Sequence, residues 1–287
     1  MISTSHIRRA LLLALLSLFA GATFCQQPPQ QTLHELLNPE LHVLFIGNSF
    51  IYFNNMPRIV EAISESVDGP RIKTEMVAIG GARLEDLWKQ GSALAAIHKQ
   101  HWDYVVMNEQ SALGGGIVNG EKRIADPANF FKYAELFDAE IRKSGARTVI
   151  LMTWKDKNDP GLIQNELDSA FWEFAKKMAG GVLLSHVSEA WFITRRKAPE
   201  IDLYFADNHH PSQEGSYLIA CTVYVTLTHH SPEGAVAKVE GTPVDEESGT
   251  VLTGKTKTLV NLSPRNAAKL QLIGLQAATT LPEFGYQ

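Results

Sequence analysis

The feature that most limits what this chain can become is an alternation, sustained from residue 41 onward, of short apolar runs with longer segments of helical spacing. Residues 41–46, 103–107 and 148–153 are short, largely apolar runs and read as buried strands, 72–79 alternates apolar with polar residues, and 182–184 is a weaker strand. Between them, residues 57–67, 84–98, 129–144, 162–178 and 212–228 repeat apolar side chains at helical intervals. Strands that are apolar throughout need cover on both faces. The pattern therefore predicts an α/β fold: a three-layer sandwich with a parallel sheet between helices. No fixed-period repeat is present.

Residues 231–260 break the alternation. Gly, Pro, Glu and Thr dominate, with β-like runs at 235–239 and 250–253, and we read an inserted hairpin or excursion rather than a second domain. Ser263 then caps a last helix with Pro264 at its first position. The domain reading is one domain over residues 40–287 with this excursion inside it.

The start of the chain stands apart. His6, Arg8 and Arg9 precede an apolar stretch at 10–22 that is short for a membrane span, so residues 1–25 read as a signal peptide and 26–39 as a flexible mature N-terminus. The expected location is secreted or periplasmic. Lipid attachment at Cys25 is the competing reading, disfavoured by bulky Phe24. The other cysteine, Cys221, sits in an apolar stretch and reads as a buried, inert thiol. Of 287 residues, 45% are hydrophobic and 20% charged, enough for a full core, and a net charge of −5 gives no electrostatic case for nucleic acid or an anionic membrane.

In an open parallel sheet, ligands gather at the carboxyl ends of the strands. The suggestive polar residues fall just there: Ser49 after the first strand, Gly80-Gly81 after the second, Asn108-Glu109-Gln110-Ser111 after the third, Trp154 after the fourth. Asp207 and His210 lie in a late polar loop. A serine hydroxyl is a poor nucleophile without a base, and a neutral imidazole needs a partner to fix its tautomer. Ser49, His210 and Asp207 supply those three parts. The bland alternatives are a helix cap for Ser49 and a turn cap for Asp207. His209 is the rival base, but Asp207 precedes it by only two residues. His209, His210, His229 and His230 raise a metal reading; no His-x-x-x-His pair or acidic ligand framework accompanies them, so no metal and no cofactor are expected.

Over about residues 40–230, the chain resembles the SGNH/GDSL hydrolase superfamily, through Gly47-Asn48-Ser49, Gly80-Gly81 and Asp207-x-x-His210. The resemblance implies a flavodoxin-like sheet and acyl-serine hydrolysis of esters without a metal, with His210 in the base position. It also implies an oxyanion hole built from the Ser49 N–H, the Gly81 N–H and a side-chain amide. The third block departs from the usual Gly-x-Asn-Asp. It is closer to the Gln-containing form of some carbohydrate acetylesterase branches and of a poorly characterised bacterial branch. Asn108 and Gln110, two apart on an extended segment, share a face, and the choice of donor stays open, with Gln110 nearer the rim. Trp154 is expected to wall an acyl or sugar pocket, with core packing as the alternative. The implied substrate is a small-molecule or carbohydrate ester, with no stable membrane association. A noncatalytic carbohydrate-binding protein on the same fold and a lipase- or phospholipase-like enzyme are the alternatives.

Overall fold

In the first strand, β1 (Leu41–Gly47), alternate residues serve opposite layers. Val43 and Phe45 join one buried cluster and Leu44 and Ile46 the other, all with no exposed surface. That two-sided burial is why Val43 to Ile46 is apolar without interruption. The structure, a computed structural model, describes residues 39–118, 121–178 and 180–279. The leader read at 1–25 and all but the last residue of the N-terminal segment read at 26–39 lie outside the described residues.

After β1 come a short helix α1 (Ser49–Tyr52), a 3₁₀ turn (Phe53–Asn55) and α2 (Met56–Ser66). Next follow β2 (Ile72–Ala78), α3 (Leu84–Gln90), α4 (Ser92–Ile97) and β3 (Tyr104–Met107). A small antiparallel pair, β4 (Gly116–Val118) and β5 (Glu121–Arg123), precedes α5 (Ala128–Lys143), β6 (Arg147–Leu151) and α6 (Gly161–Lys177). The chain continues through β7 (Leu183–Ser185), α7 (Val187–Lys197) and α8 (Gln213–Thr228). It closes with β8 (Lys238–Gly241), β9 (Lys257–Asn261) and α9 (Pro264–Thr279).

Five of these strands form one sheet in the order β2-β1-β3-β6-β7, every pairing parallel. This is the flavodoxin-like order, whose direction reverses between β1 and β3, and the crevice beyond their carboxyl ends is the expected ligand site. Helices α2, α7, α8 and α9 contribute to one buried cluster and α3, α5 and α6 to the other, giving the α/β/α sandwich. Helix α8 is apolar nearly all round, and residues 215–227 are buried, packed against α2, α7 and α9. No helix among the described residues is long and apolar enough to cross a membrane.

Three local expectations change. The helix read over 84–98 is two helices, broken where Gly91 takes a left-handed φ of +84° as the C-cap of α3. Helix α7 was not read from the sequence, although Val187, Ala190, Trp191 and Thr194 occupy one helical face and are all buried. Within the excursion, the second strand is β9 at 257–261 rather than 250–253, where Val251 makes only an isolated bridge to Val244.

Candidate active site

The turn out of β1 is built by side chains that compete for the same few ångströms. Asn48 caps α1 by accepting from the Phe50 N–H (3.1 Å), and its amide donates to the Ala82 carbonyl (3.0 Å). Asn108, at the end of β3, accepts from the Asn48 N–H (3.2 Å) and donates back to the Asn48 side-chain oxygen (2.9 Å). Any side chain at position 47 would collide with this pair, since a Cβ there would lie 1.7 Å from Asn108 Oδ1. Gly47 is thus required by close approach. Ser49 emerges at the first position of α1, only 7% exposed. Its N–H is one of the donors that a helix start leaves without an intrahelical acceptor.

The late loop is closed by a Tyr204–Pro211 bridge and by the Phe205 N–H donating to the His210 carbonyl (2.7 Å). One carboxylate organises it. Asp207 Oδ1 accepts from the backbone N–H groups of His209 and His210 (3.0 Å each), and Oδ2 meets His210 Nδ1 at 2.6 Å. Asp207 is therefore turn cap and imidazole partner together. His210 Nε2 lies 2.9 Å from Ser49 Oγ. With the proton held on Nδ1 by the carboxylate, Nε2 is left to accept from the serine hydroxyl. Burial pushes His210 below its usual pKa of 6.5, outweighing the opposing pull of Asp207. Burial pushes Asp207 up, but the hydrogen bonds from His210 and from the two backbone N–H groups prevail and hold it below the usual carboxylate value.

The neighbouring histidine is tied elsewhere. His209 Nδ1 lies 2.5 Å from Asp156 Oδ1, while its carbonyl accepts from Trp154 Nε1 (3.3 Å). Trp154 corrects the expectation of a pocket wall. It is 1% exposed, stacked between Phe50 (4.2 Å) and Trp191 (4.1 Å), so it supports the site from inside the core.

Gly80 and Gly81 form a tight turn closed by the Ala82 N–H on the Ile79 carbonyl (3.1 Å), with Gly81 at φ +67°. A Cβ on Gly81 would meet nothing within 4 Å, so its need is conformational and its backbone is open to approach. Asn108 is 1% exposed and gives both amide hydrogens to the protein, to Asn48 and to the Glu109 carbonyl (3.0 Å). Gln110 folds over the next turn, accepting from Ala112 and Gly114 N–H (2.9 Å each), and its amide donates to Ser111 Oγ (3.0 Å). Cys221 is fully buried, which pushes its thiol well up. Among the described residues, no group of three or more His, Cys, Asp or Glu is placed to hold a metal ion.

The structure adds residues that the sequence reading passed over. Asn54, left-handed at φ 52°, donates to the carbonyls of Pro211 (3.4 Å) and Ser212 (3.2 Å) and to Ser216 Oγ (2.9 Å), fastening the histidine loop to the serine turn. Asparagine tolerates that conformation, and the Asn54-Asn55 pair so close behind Ser49 was the available signal. Phe53 lies flat on the His210 ring, centroids 4.1 Å apart. Glu109 accepts from Gln110 N–H (2.7 Å) and Leu84 N–H (3.3 Å), linking the third block to α3, and its burial pushes its carboxyl up to about 7.

Known structures agree with this architecture. A candidate SGNH hydrolase from Slackia heliotrinireducens is 26% identical, with a TM-score of 0.51 over 66% of this chain and 99% of its own. The chain is an SGNH-superfamily protein. Two more distant structures share the SGNH-like fold: a DUF4886 family protein from Bacteroides uniformis (16% identity, TM-score 0.56, 83% of this chain and 94% of the other) and an acetyl-xylooligosaccharide esterase from Geobacillus (13%, 0.52, 67% and 95%). No protein-family model matches the chain, and no curated protein does.

Proposed function

We propose that this SGNH-superfamily protein hydrolyses carboxylic esters through an acyl-enzyme on Ser49. One observation carries the reading: the continuous relay from Ser49 Oγ to His210 Nε2 (2.9 Å) and from His210 Nδ1 to Asp207 Oδ2 (2.6 Å). Ser49 Oγ bonds to the ester carbonyl carbon as its proton passes to His210 Nε2. The tetrahedral adduct collapses, the C–O bond to the alcohol breaks, and His210 returns that proton to the leaving oxygen. Water then attacks acyl-Ser49, giving a proton to His210; the acid departs and the proton goes back to Ser49. Asp207 holds the tautomer and stabilises the imidazolium.

The oxyanion would be met by the N–H groups of Ser49 and Gly81. Of the two side-chain amides, Gln110 is favoured as third donor. It spends one amide hydrogen on Ser111, whereas Asn108 spends both on Asn48 and Glu109. The Geobacillus protein of this fold is an acetyl-xylooligosaccharide esterase, and a short acyl group is the one we propose here. Export through the leader at residues 1–25 is part of the proposal and rests on sequence alone.

The test is labelling with a serine-directed fluorophosphonate, followed by turnover of acetate esters. Wild type should label and hydrolyse, and Ser49→Ala should do neither. Hydrolysis surviving in the pure variant would remove Ser49 from the chemistry.

A further inference from the structure

A row of aromatic rings runs outward from His210 and ends in a face that the fold leaves bare. His210 lies parallel to Phe53 (4.1 Å, 3°), and Phe53 meets Phe205 edge to face (5.9 Å, 70°). Phe53 is 5% exposed, whereas Phe205 at the end of the row is 46% exposed. Phe205 is not loose. Its N–H donates to the His210 carbonyl (2.7 Å), its carbonyl accepts from Asn208 N–H (3.0 Å), and the preceding Tyr204 is bridged to Pro211. The Phe205 main chain is thus tied to the histidine loop, and its ring rests edge to face on Phe53.

We propose that Phe205 is the platform on which the alcohol half of the substrate lies, and that this alcohol carries a ring. The inference rests on the acyl-serine reading, because His210 must hand its proton to the leaving oxygen, which brings the alcohol beside this imidazole. A rigid aromatic face already held in place gains contact area at little cost in conformational freedom. Asp207 and Asn208 follow in the same loop, so the apolar face has polar neighbours. That combination suits a ring with an apolar face and polar edges, shared by a pyranose and an oxygen-bearing arene.

The experiment compares wild type, Phe205→Ala and Phe205→Trp on three acetates: an acetylated methyl pyranoside, phenyl acetate and ethyl acetate. For Phe205→Ala, kcat/KM on a ring-bearing ester should fall about 3- to 10-fold further than on ethyl acetate, through KM, and Phe205→Trp should restore it. A selective fall on the pyranoside alone identifies a sugar, on phenyl acetate alone an arene; either supports the platform. Equal falls on all three esters, or no selective fall on either ring-bearing ester, would overturn it. Fluorophosphonate labelling of Ser49 separates the two levels. Labelled enzyme with no ring selectivity sinks the platform alone, whereas absent labelling and absent turnover of every ester sink the acyl-serine reading beneath it.

Discussion

In the 204–212 loop, Asp207 reaches His210 across three residues with backbone bonds of the same turn around it; in the 108–111 block, Asn108 takes its geometry from Asn48, 60 residues away. Both stretches are rich in polar residues, the second directly after β3 and the first brought by His210 to Ser49 beyond β1. The first is organised by local chemistry, so its spacing can be read from the chain. The second is organised by a partner that only the β1–β3 pairing brings near, so the same kind of side chain gives no comparable clue. Asn108 illustrates the consequence. Its amide reads as a free oxyanion donor until Asn48 is seen holding it.

Mutations that break the relay test the local half of that contrast and should have the largest effects. Ser49→Ala should lower kcat on an aryl acetate by about 10⁴-fold or more, with unfolding stability nearly unchanged, because in the proposed mechanism Ser49, His210 and Asp207 act as a unit. His210→Ala should match it, and the double variant should be scarcely worse in the same assay. If His209→Ala proves the dead variant instead, the Asp-x-x-His assignment is wrong.

The third block should respond in two different ways. Gln110→Ala should reduce kcat by about 10²–10³-fold with little change in KM, as for a lost oxyanion donor. Asn108→Ala should register first in denaturant unfolding, costing about 1–3 kcal/mol by leaving the buried Asn48 groups unpaired. Near-normal kcat in Gln110→Ala would mean a hole built from backbone N–H groups alone.

His209 supplies a milder test. Its partner Asp156 lies on the loop after β6, and the pair is partly exposed, so His209→Ala should cost less than about tenfold in kcat/KM. The smallest effect is in pH dependence. The proposed mechanism needs neutral His210, and burial depresses its pKa, so the acidic limb of kcat/KM should fall below pH 6.5, with activity lost as pH drops through it. A pH profile with its acidic limb above 6.5 would contradict that environment.

Much of the fold was legible because its causes are local. Continuous apolar runs report two-sided burial, and helical spacing reports one buried face. Helix α7 was missed because its apolar stripe is short and ends in Arg195-Arg196-Lys197, and the break at Gly91 because a glycine within helical spacing does not announce a left-handed cap. Trp154 misled in a related way. An aromatic after a strand looks the same on paper whether it faces solvent or, as here, lies between Phe50 and Trp191.

The sequence alone determined the α/β sandwich and the proximity of Asp207 to His210, since periodicity and a three-residue turn act over short stretches of chain. Tertiary structure alone decided that His210 Nε2 meets Ser49 across 161 positions, that Asn54 fastens those two loops, and that Asn108 is spent on Asn48. Hydrogen bonds between side chains distant in sequence depend on ångström-scale placement, and that placement exists only once parallel strands have packed in register beneath them.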